Sequence, residues 1–361
     1  MRALVTSIDT DLPGHVHHVL AGYFAERRAQ TDAIGPDFGD AIAALSEFVL
    51  GGGKRVRPTF AWWGWRGAGG AADGPTADAV LRALSALELL QASALVHDDL
   101  MDSSALRRGA PTVHVAFAAR HRAAGLRGEP DRFGLAAAVL LGDIALAWAE
   151  DLFLTAGLPA AALARAIPPW QAMRTEMLAG QYIDLLTQAH GDESPEAALR
   201  VDRWKTAAYT VERPLHIGAA LAGADPAVIA AYRRFGADLG IAFQLRDDLL
   251  GVFGDPAVTG KPAGDDLREG KRTLLMALGL RHAAPADADR LRAYLGNPDL
   301  TDDDVTHARA LLVDAGAVAA VEHRITELTT AALNTLATAP ITAPAAERLA
   351  DLAISATRRD R

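Results

Sequence analysis

Val96-His97-Asp98-Asp99-Leu100-Met101-Asp102 closes a stretch, Leu81 to Leu95, in which nearly every residue is apolar or small. A helix that is apolar around almost its whole wheel is buried rather than amphipathic. This one ends in three carboxylates, with Asp98 and Asp102 one turn apart on the same face. Carboxylates packed this closely repel one another, and burial adds a desolvation cost, so they need cations. Hard oxygen donors from few residues suit Mg²⁺, which keeps waters and shares the phosphates of a substrate. Taken alone, the stretch also describes a solvated, acidic helix end, so its meaning depends on what accompanies it.

Composition narrows the field. The chain has 361 residues, half of them hydrophobic, which is ample for a sizeable core. With 36 Lys+Arg against 45 Asp+Glu, the net charge of −9 implies no bulk attraction to nucleic acid or anionic membranes. The absence of cysteine rules out disulfides and thiolate chemistry and fits a cytoplasmic location. Met1 to Pro13 is acidic and lacks the apolar core of a signal peptide. No apolar run reaches transmembrane length without a charge, so no membrane span is expected.

Alanine and leucine dominate, and the alternating β-branched runs of strands are missing, so the expected fold is all-α. Expected helices span 15–33, 38–50, 58–68, 77–104, 113–124, 133–157, 170–190, 195–223, 226–253, 271–283, 286–295, 302–315, 317–337 and 343–357. Ser194-Pro195 and Asp225-Pro226 each place a capping residue before a proline at the first helical position. Pro168-Pro169 is expected to break one helix from the next, and Pro214 to kink another. No repeat and no dividing linker is visible, which makes residues 1–361 a single domain. Segments 67–75 and 125–132 read as loops. The Gly/Pro/Asp-rich segment 254–270 is a long loop of the kind that usually carries function.

Other motifs favour a polyanionic ligand. Gly51-Gly52-Gly53-Lys54-Arg55-Val56-Arg57-Pro58 joins two helices; its glycines admit a ligand to the backbone, and three cations stand in four positions. It is not a Walker A loop, because the spacing differs and no Ser or Thr follows the lysine. A solvated basic turn is its plainer reading. Arg107 and Arg108 follow the acidic stretch and could pair with it or clamp phosphate oxygens. Gly180-Gln181-Tyr182-Ile183-Asp184 lies on another helix, where a glycine weakens the helix, and Trp204-Lys205-Thr206-Ala207 on a third. Phe243-Gln244-Leu245-Arg246-Asp247-Asp248-Leu249-Leu250-Gly251 ends a second buried-looking helix in paired carboxylates. Two such ends could face each other around a metal cluster. Gly260-Lys261 and Gly270-Lys271-Arg272 add cations for the same anion. Trp62, Trp63 and Trp65 read as core residues, and His97 as a structural hydrogen-bonding histidine rather than a base.

Together these motifs, in this order over roughly residues 45–275, resemble the trans-isoprenyl (polyprenyl) diphosphate synthase family, most like bacterial geranylgeranyl diphosphate synthases. The resemblance implies helices surrounding a deep central cavity, and usually a homodimer. It also implies head-to-tail condensation of isopentenyl diphosphate with an allylic diphosphate. In that scheme Asp98 and Asp102 bind two of three Mg²⁺ ions (Mn²⁺ being possible), with Asp99 nearby, and Asp247 binds the third, supported by Asp248. Arg107, Lys205, Thr206, Gln244, Lys261 and Lys271 hold the allylic diphosphate. Lys54, Arg57, Gln91 and Arg108 hold isopentenyl diphosphate, Gln91 standing where many members have histidine. Gln181 and Asp184 line the metal site, Lys205 and Thr206 fall where the helix is interrupted, and the tail Arg358-Arg359-Asp360-Arg361 resembles a basic closing segment.

One departure is Gly251, which stands at the last position of a motif that usually reads DDxxD. With Asp247 carrying the ion, restoring an aspartate at 251 is expected to change Mg²⁺ dependence only modestly. Ser93, Ala94 and Leu90 lie along the path of the growing chain below Asp98. The small side chains at 93 and 94 imply geranylgeranyl diphosphate as main product, with longer polyprenyl or farnesyl diphosphate as alternatives. A terpene cyclase on the same scaffold, which would not need Lys54, Arg57 and Arg108, and a non-catalytic regulatory subunit are the competing readings.

Overall fold

A computed structural model describes residues 6–255 and 264–358. Its helices are α1 (Leu12–Ile34), α2 (Pro36–Leu50), α3 (Val56–Gly67), α4 (Pro75–Met101), α5 (Val113–Ala123), α6 (Pro130–Leu154), α7 (Ala160–His190) and α8 (Pro195–Val201). A π-helical segment, Asp202–Glu212, follows without a break. Then come α9 (Arg213–Ala222), α10 (Pro226–Phe253), α11 (Asp265–Glu269), α12 (Leu274–His282), α13 (Pro285–Tyr294), α14 (Asp302–Asp314), α15 (Ala317–Ala337) and α16 (Ala343–Thr357). The all-α expectation is met, apart from a two-residue hairpin pairing β1 (Leu106–Arg107) with β2 (Ala110–Pro111). Its turn, Arg108-Gly109, takes positive φ at both residues, as a tight hairpin connection requires.

α10 is the axis of the packing. Tyr232, Phe235 and Leu239 in its first half join an apolar core with Phe60, Trp62, Leu87 and Trp170. Leu245, Leu249 and Val252 in its second half join another with Leu275, Leu291, Leu312 and Val321. One helix therefore carries both cores. Trp62, Trp63 and Trp65 are buried as expected, and Trp62 Nε1 donates to Asp9 Oδ1 at 2.7 Å. α4 is buried along its length, with Ala86, Leu89 and Leu90 fully enclosed. Each such leucine contributes roughly 1.5–3 kcal/mol by leaving water.

Two expectations about prolines are corrected. Pro168 and Pro169 lie inside α7, which runs unbroken from Ala160 to His190. A proline costs a helix one hydrogen bond and a clash with the preceding turn, but here tertiary packing holds the turn. Pro169 and Trp170 are buried, Trp170 stacks on Phe153 with ring centroids 4.3 Å apart, and its Nε1 donates to Glu150 Oε2 at 2.7 Å. Pro214 does not simply kink a helix. It follows the point where the π-helical segment returns to α geometry, and Arg213 N–H donates five residues back to Ala208 O. Ser194 caps α8 through Ala197 N–H, whereas Asp225 makes no side-chain cap.

Among the described residues, two helices are long and apolar enough to cross a membrane by length and composition, α4 and α6. The apolar window of α4 is 72% buried within the protein, as befits a core helix, while that of α6 is only 33% buried.

Candidate active site

The helical spacing of the first acidic stretch puts its carboxylates at the C-terminal end of α4, but they are not equivalent. Asp99 is 1% exposed and clamps Arg107: Arg107 Nε lies 2.8 Å from both carboxylate oxygens and Nη2 lies 2.7 Å from Oδ1. Asp98 Oδ1 lies 3.1 Å from Lys205 Nζ, and its Oδ2 3.6 Å from Arg107 Nη2. Burial alone would raise the Asp98 carboxyl, but the charges of Lys205, Lys271 and Arg107 together hold it below its usual value. Asp102, the residue ending α4, is pushed up to about 7, first by burial and then by the charge of Asp98. One carboxylate is thus kept ionised by cations while its neighbour is made proton-hungry.

Lys205 is delivered by the π-helical segment. A backbone as wide as this needs neighbours without side chains, and three glycines provide them. A Cβ on Gly180 of α7 would lie 2.2 Å from Lys205 N, one on Gly240 of α10 2.5 Å from Ala207 Cα, and one on Gly236 2.4 Å from Glu212 Cα. Gly180 is therefore no idle weak point; it lets α7 touch the segment where Lys205 leaves it. Lys205 Nζ then bridges Asp98 and, at 2.7 Å, Asp184 Oδ2 of α7. Those charges outweigh desolvation and raise the lysine to about 12. The interruption expected around Lys205 and Thr206 takes the form of this π-helix, a device found often at functional sites.

At the end of α10, Asp247 is exposed and Asp248 is buried. Gln244 Nε2 donates to Asp248 Oδ1 at 2.7 Å, while Asp248 Oδ2 is buried without a hydrogen-bond partner among the described residues. Burial, followed by the charges of Asp202 and Asp266, pushes the Asp248 carboxyl well above its ordinary value. Lys271, just beyond α11, lies 2.9 Å from Glu269 Oε2, and Glu269 Oε1 accepts from Ser104 Oγ at 2.7 Å. The end of α11 is thereby fastened to the end of α4. Gln181 reaches only Met101 Sδ, at 3.8 Å. His97 Nε2 donates to Val139 O at 3.2 Å, a structural hydrogen bond.

The basic loop divides its cations. Arg55 turns inward to Glu88 Oε2 at 2.6 Å and Val49 O at 2.8 Å, so it belongs to the core and not to a ligand. Arg57 stacks its guanidinium on the Tyr209 ring, 4.1 Å from the centroid, and donates to Thr210 Oγ1 at 2.9 Å. Arg57 Nε and Gln91 Oε1 are buried without a hydrogen-bond partner among the described residues. Arg108 Nη1 donates to Gly52 O at 2.7 Å, which brings the hairpin against the glycines beside Lys54. Lys261 and Arg359 to Arg361 lie outside the described residues.

These residues fit a hard divalent cation. The donors are carboxylate oxygens, and one of them, Asp248 Oδ2, is buried without a hydrogen-bond partner. Among the described residues no three ligand groups already converge on one point; Mg²⁺ does not require that, since it takes few protein ligands and fills its octahedron with water and phosphate. Asp98, Asp102 and Asp247 would be the carboxylates to hold it. Sequence reasoning missed Asp202, a buried acid pushed up to about 8 by burial and by Asp184, whose Oδ2 also lacks a hydrogen-bond partner among the described residues. Its signal was an acidic residue three positions before Lys205, one helical turn away.

Comparisons with known proteins agree with this geometry. A geranylgeranyl diphosphate synthase of Mycobacterium tuberculosis is 38% identical over 232 residues, 64% of this chain and 61% of that protein's length. A geranylfarnesyl diphosphate synthase of Aeropyrum pernix is 32% identical over 79% of this chain and 83% of its own. Among solved structures, a geranylgeranyl pyrophosphate synthase from Corynebacterium glutamicum, complexed with isoprenyl diphosphate and magnesium, superposes with a TM-score of 0.94 and 47% identity, covering 97% of this chain and 99% of that one. The sequence model of the polyprenyl synthetases matches residues 40–312, and the chain belongs to that family.

Proposed function

We propose that the protein is a Mg²⁺-dependent prenyltransferase that joins isopentenyl diphosphate head-to-tail to an allylic diphosphate (dimethylallyl, geranyl or farnesyl), with geranylgeranyl diphosphate as main product. The observation that carries this reading is the set of lysines brought to the acidic end of α4: Lys205 lies 3.1 Å from Asp98, and Lys271 is tied to Ser104 through Glu269. Lys205, Lys271 and Arg107 stand where an allylic diphosphate would lose its carbon–oxygen bond, with Thr206, Gln181 and Gln244 beside them. Bound Mg²⁺ supplies Lewis-acid stabilisation of the departing diphosphate. Asp99 acts by holding Arg107 in a fixed, bidentate orientation. Arg57, whose Nε is buried without a hydrogen-bond partner among the described residues, together with Lys54, Arg108 and the amide N–H groups of Gln91, is the set proposed for isopentenyl diphosphate. Because cyclisation of a single allylic diphosphate needs no second diphosphate site, this group favours condensation. The released pyrophosphate takes the final proton. The purified chain, given Mg²⁺, isopentenyl diphosphate and dimethylallyl diphosphate, is expected to yield a twenty-carbon diphosphate by mass spectrometry. Absence of any condensation product would overturn the reading.

The resting enzyme is proposed to be a homodimer built on α6. Val139 and Leu140 are 46% and 63% exposed in the middle of a helix whose apolar window is one-third buried, a face that a second copy would cover. Sedimentation is expected to give twice the 38.0 kDa chain mass. Leu140→Glu should shift the protein toward monomer, and an unshifted profile would place the contact elsewhere.

A further inference from the structure

The second acidic motif lacks its last carboxylate in the sequence, yet the space beside Gly251 is filled by one. A side-chain carbon on Gly251 would lie 1.9 Å from Asp266 Oδ2 and 2.4 Å from its Cγ. The Asp266 carboxyl group therefore occupies the volume that a residue-251 side chain would need. Positions 247 and 248 lie four and three residues before 251, so all three share one face of α10. A carboxylate resting on Gly251 thus completes the row that Asp247 and Asp248 begin.

Asp266 is held there by construction. It is the second residue of α11, and Gly264, at a φ of 73°, turns the chain into that helix. It is 8% exposed, and Lys271 Nζ lies 3.3 Å from its Oδ1. Lys271 and Glu269 then tie α11 to Ser104 at the end of α4. Next to this carboxylate, the buried Asp248 Oδ2 has no hydrogen-bond partner among the described residues.

We propose that Asp266 supplies, from α11, the third carboxylate of the second acidic cluster, replacing in space the side chain that Gly251 lacks in sequence. This rests on the reading of the site as a metal–diphosphate centre and goes beyond it by naming a positioning carboxylate outside the DDxxD motif. Gly251 and Asp266 form a complementary pair: position 251 must be empty because position 266 is filled. Gly251→Asp is then not the mild change that the sequence suggests, since it forces two carboxylates into one volume.

The test compares five proteins: wild type, Asp266→Asn, Asp266→Gly, Gly251→Asp, and the double variant Gly251→Asp with Asp266→Gly, the last three and wild type closing a cycle. Calorimetric titration with Mg²⁺ in the presence of inorganic pyrophosphate reads the site without turnover, and thermal unfolding midpoints report folding. Each single variant should bind at least about tenfold more weakly, in the range found when groups supporting a metal site are altered. The double variant, with one carboxylate again in the shared volume, should recover most of that loss, giving a coupling that independent sites do not show. Wild-type affinity in a folded Asp266→Asn protein, or a double variant no better than the worse single one, would overturn the proposal. Wild-type protein that takes up no Mg²⁺ with pyrophosphate would overturn the reading of the whole site instead. Should Asp266→Asn fail to fold, the comparison of Gly251→Asp with the double variant still decides.

Discussion

Asp98→Ala or Asp102→Ala is expected to cut turnover by at least 10²–10³-fold, on the order of the loss when one preorganised group opposing transition-state charge is removed. Both side chains lie on one face at the end of α4, where the proposed reaction builds negative charge on a departing diphosphate. Their contribution matters most as the carbon–oxygen bond breaks, so kcat should fall more than substrate affinity. The fold should survive. Removing Asp102 relieves repulsion with Asp98 in a site where that repulsion and burial already lift Asp102 to about 7. Removing Asp98 leaves Lys205 its stronger contact with Asp184 at 2.7 Å. Steady-state rates with dimethylallyl and isopentenyl diphosphates, alongside circular dichroism, check both parts. Near-wild-type turnover in either variant would remove these residues from the site.

Ser93→Phe combined with Ala94→Phe should shorten the main product from twenty carbons to fifteen while ionisation of the primer persists. The two positions lie five and four residues before Asp98, about 6–7.5 Å down α4 at 1.5 Å per residue. Ser93 is 3% exposed and Ala94 packs against the core, so aromatic rings here would project into the protein interior. Below them Leu89, Leu90 and Ala86 are fully buried and form the next possible floor. Overpacking costs typically about 1–3 kcal/mol, so unfolding midpoints should accompany product sizing by mass spectrometry. An unchanged product distribution in the folded variant would mean that the chain grows along a different wall.

Much of this was legible because it depends on local spacing. The facing of Asp98 and Asp102, the extent of α10 and the bounds of α15 and α16 follow from helical period and capping residues, which act within a few positions. What escaped depends on which backbones meet. Gly180 looked like a weak point in a helix until Lys205 N was found where its side chain would be. Arg55 looked like a ligand cation, and Glu88, far away in sequence, claims it for the core. Pro168-Pro169 looked like a break because local chemistry disfavours the helix there, whereas burial of Pro169 and Trp170 in the core, with Trp170 stacked on Phe153, keeps the turn helical. Asp266 was invisible for the same reason as Gly180: nothing in the chain order says that α11 folds back onto position 251.

The lysines that sit on the carboxylates give the site a built-in exchange rule. Lys205 is shared by Asp98 and Asp184, and Lys271 by Asp266 and Glu269, so each cation is balanced before any ligand arrives. In the proposed reaction, metal ions arriving alone would crowd these lysines with extra positive charge, and a diphosphate arriving alone would face the carboxylates uncompensated. Arriving together, they would allow a trade of partners, carboxylates passing from lysine to metal and lysines from carboxylate to phosphate. Such a site would be loaded by swapping counter-ions, coupling metal uptake to substrate uptake through residues that touch both.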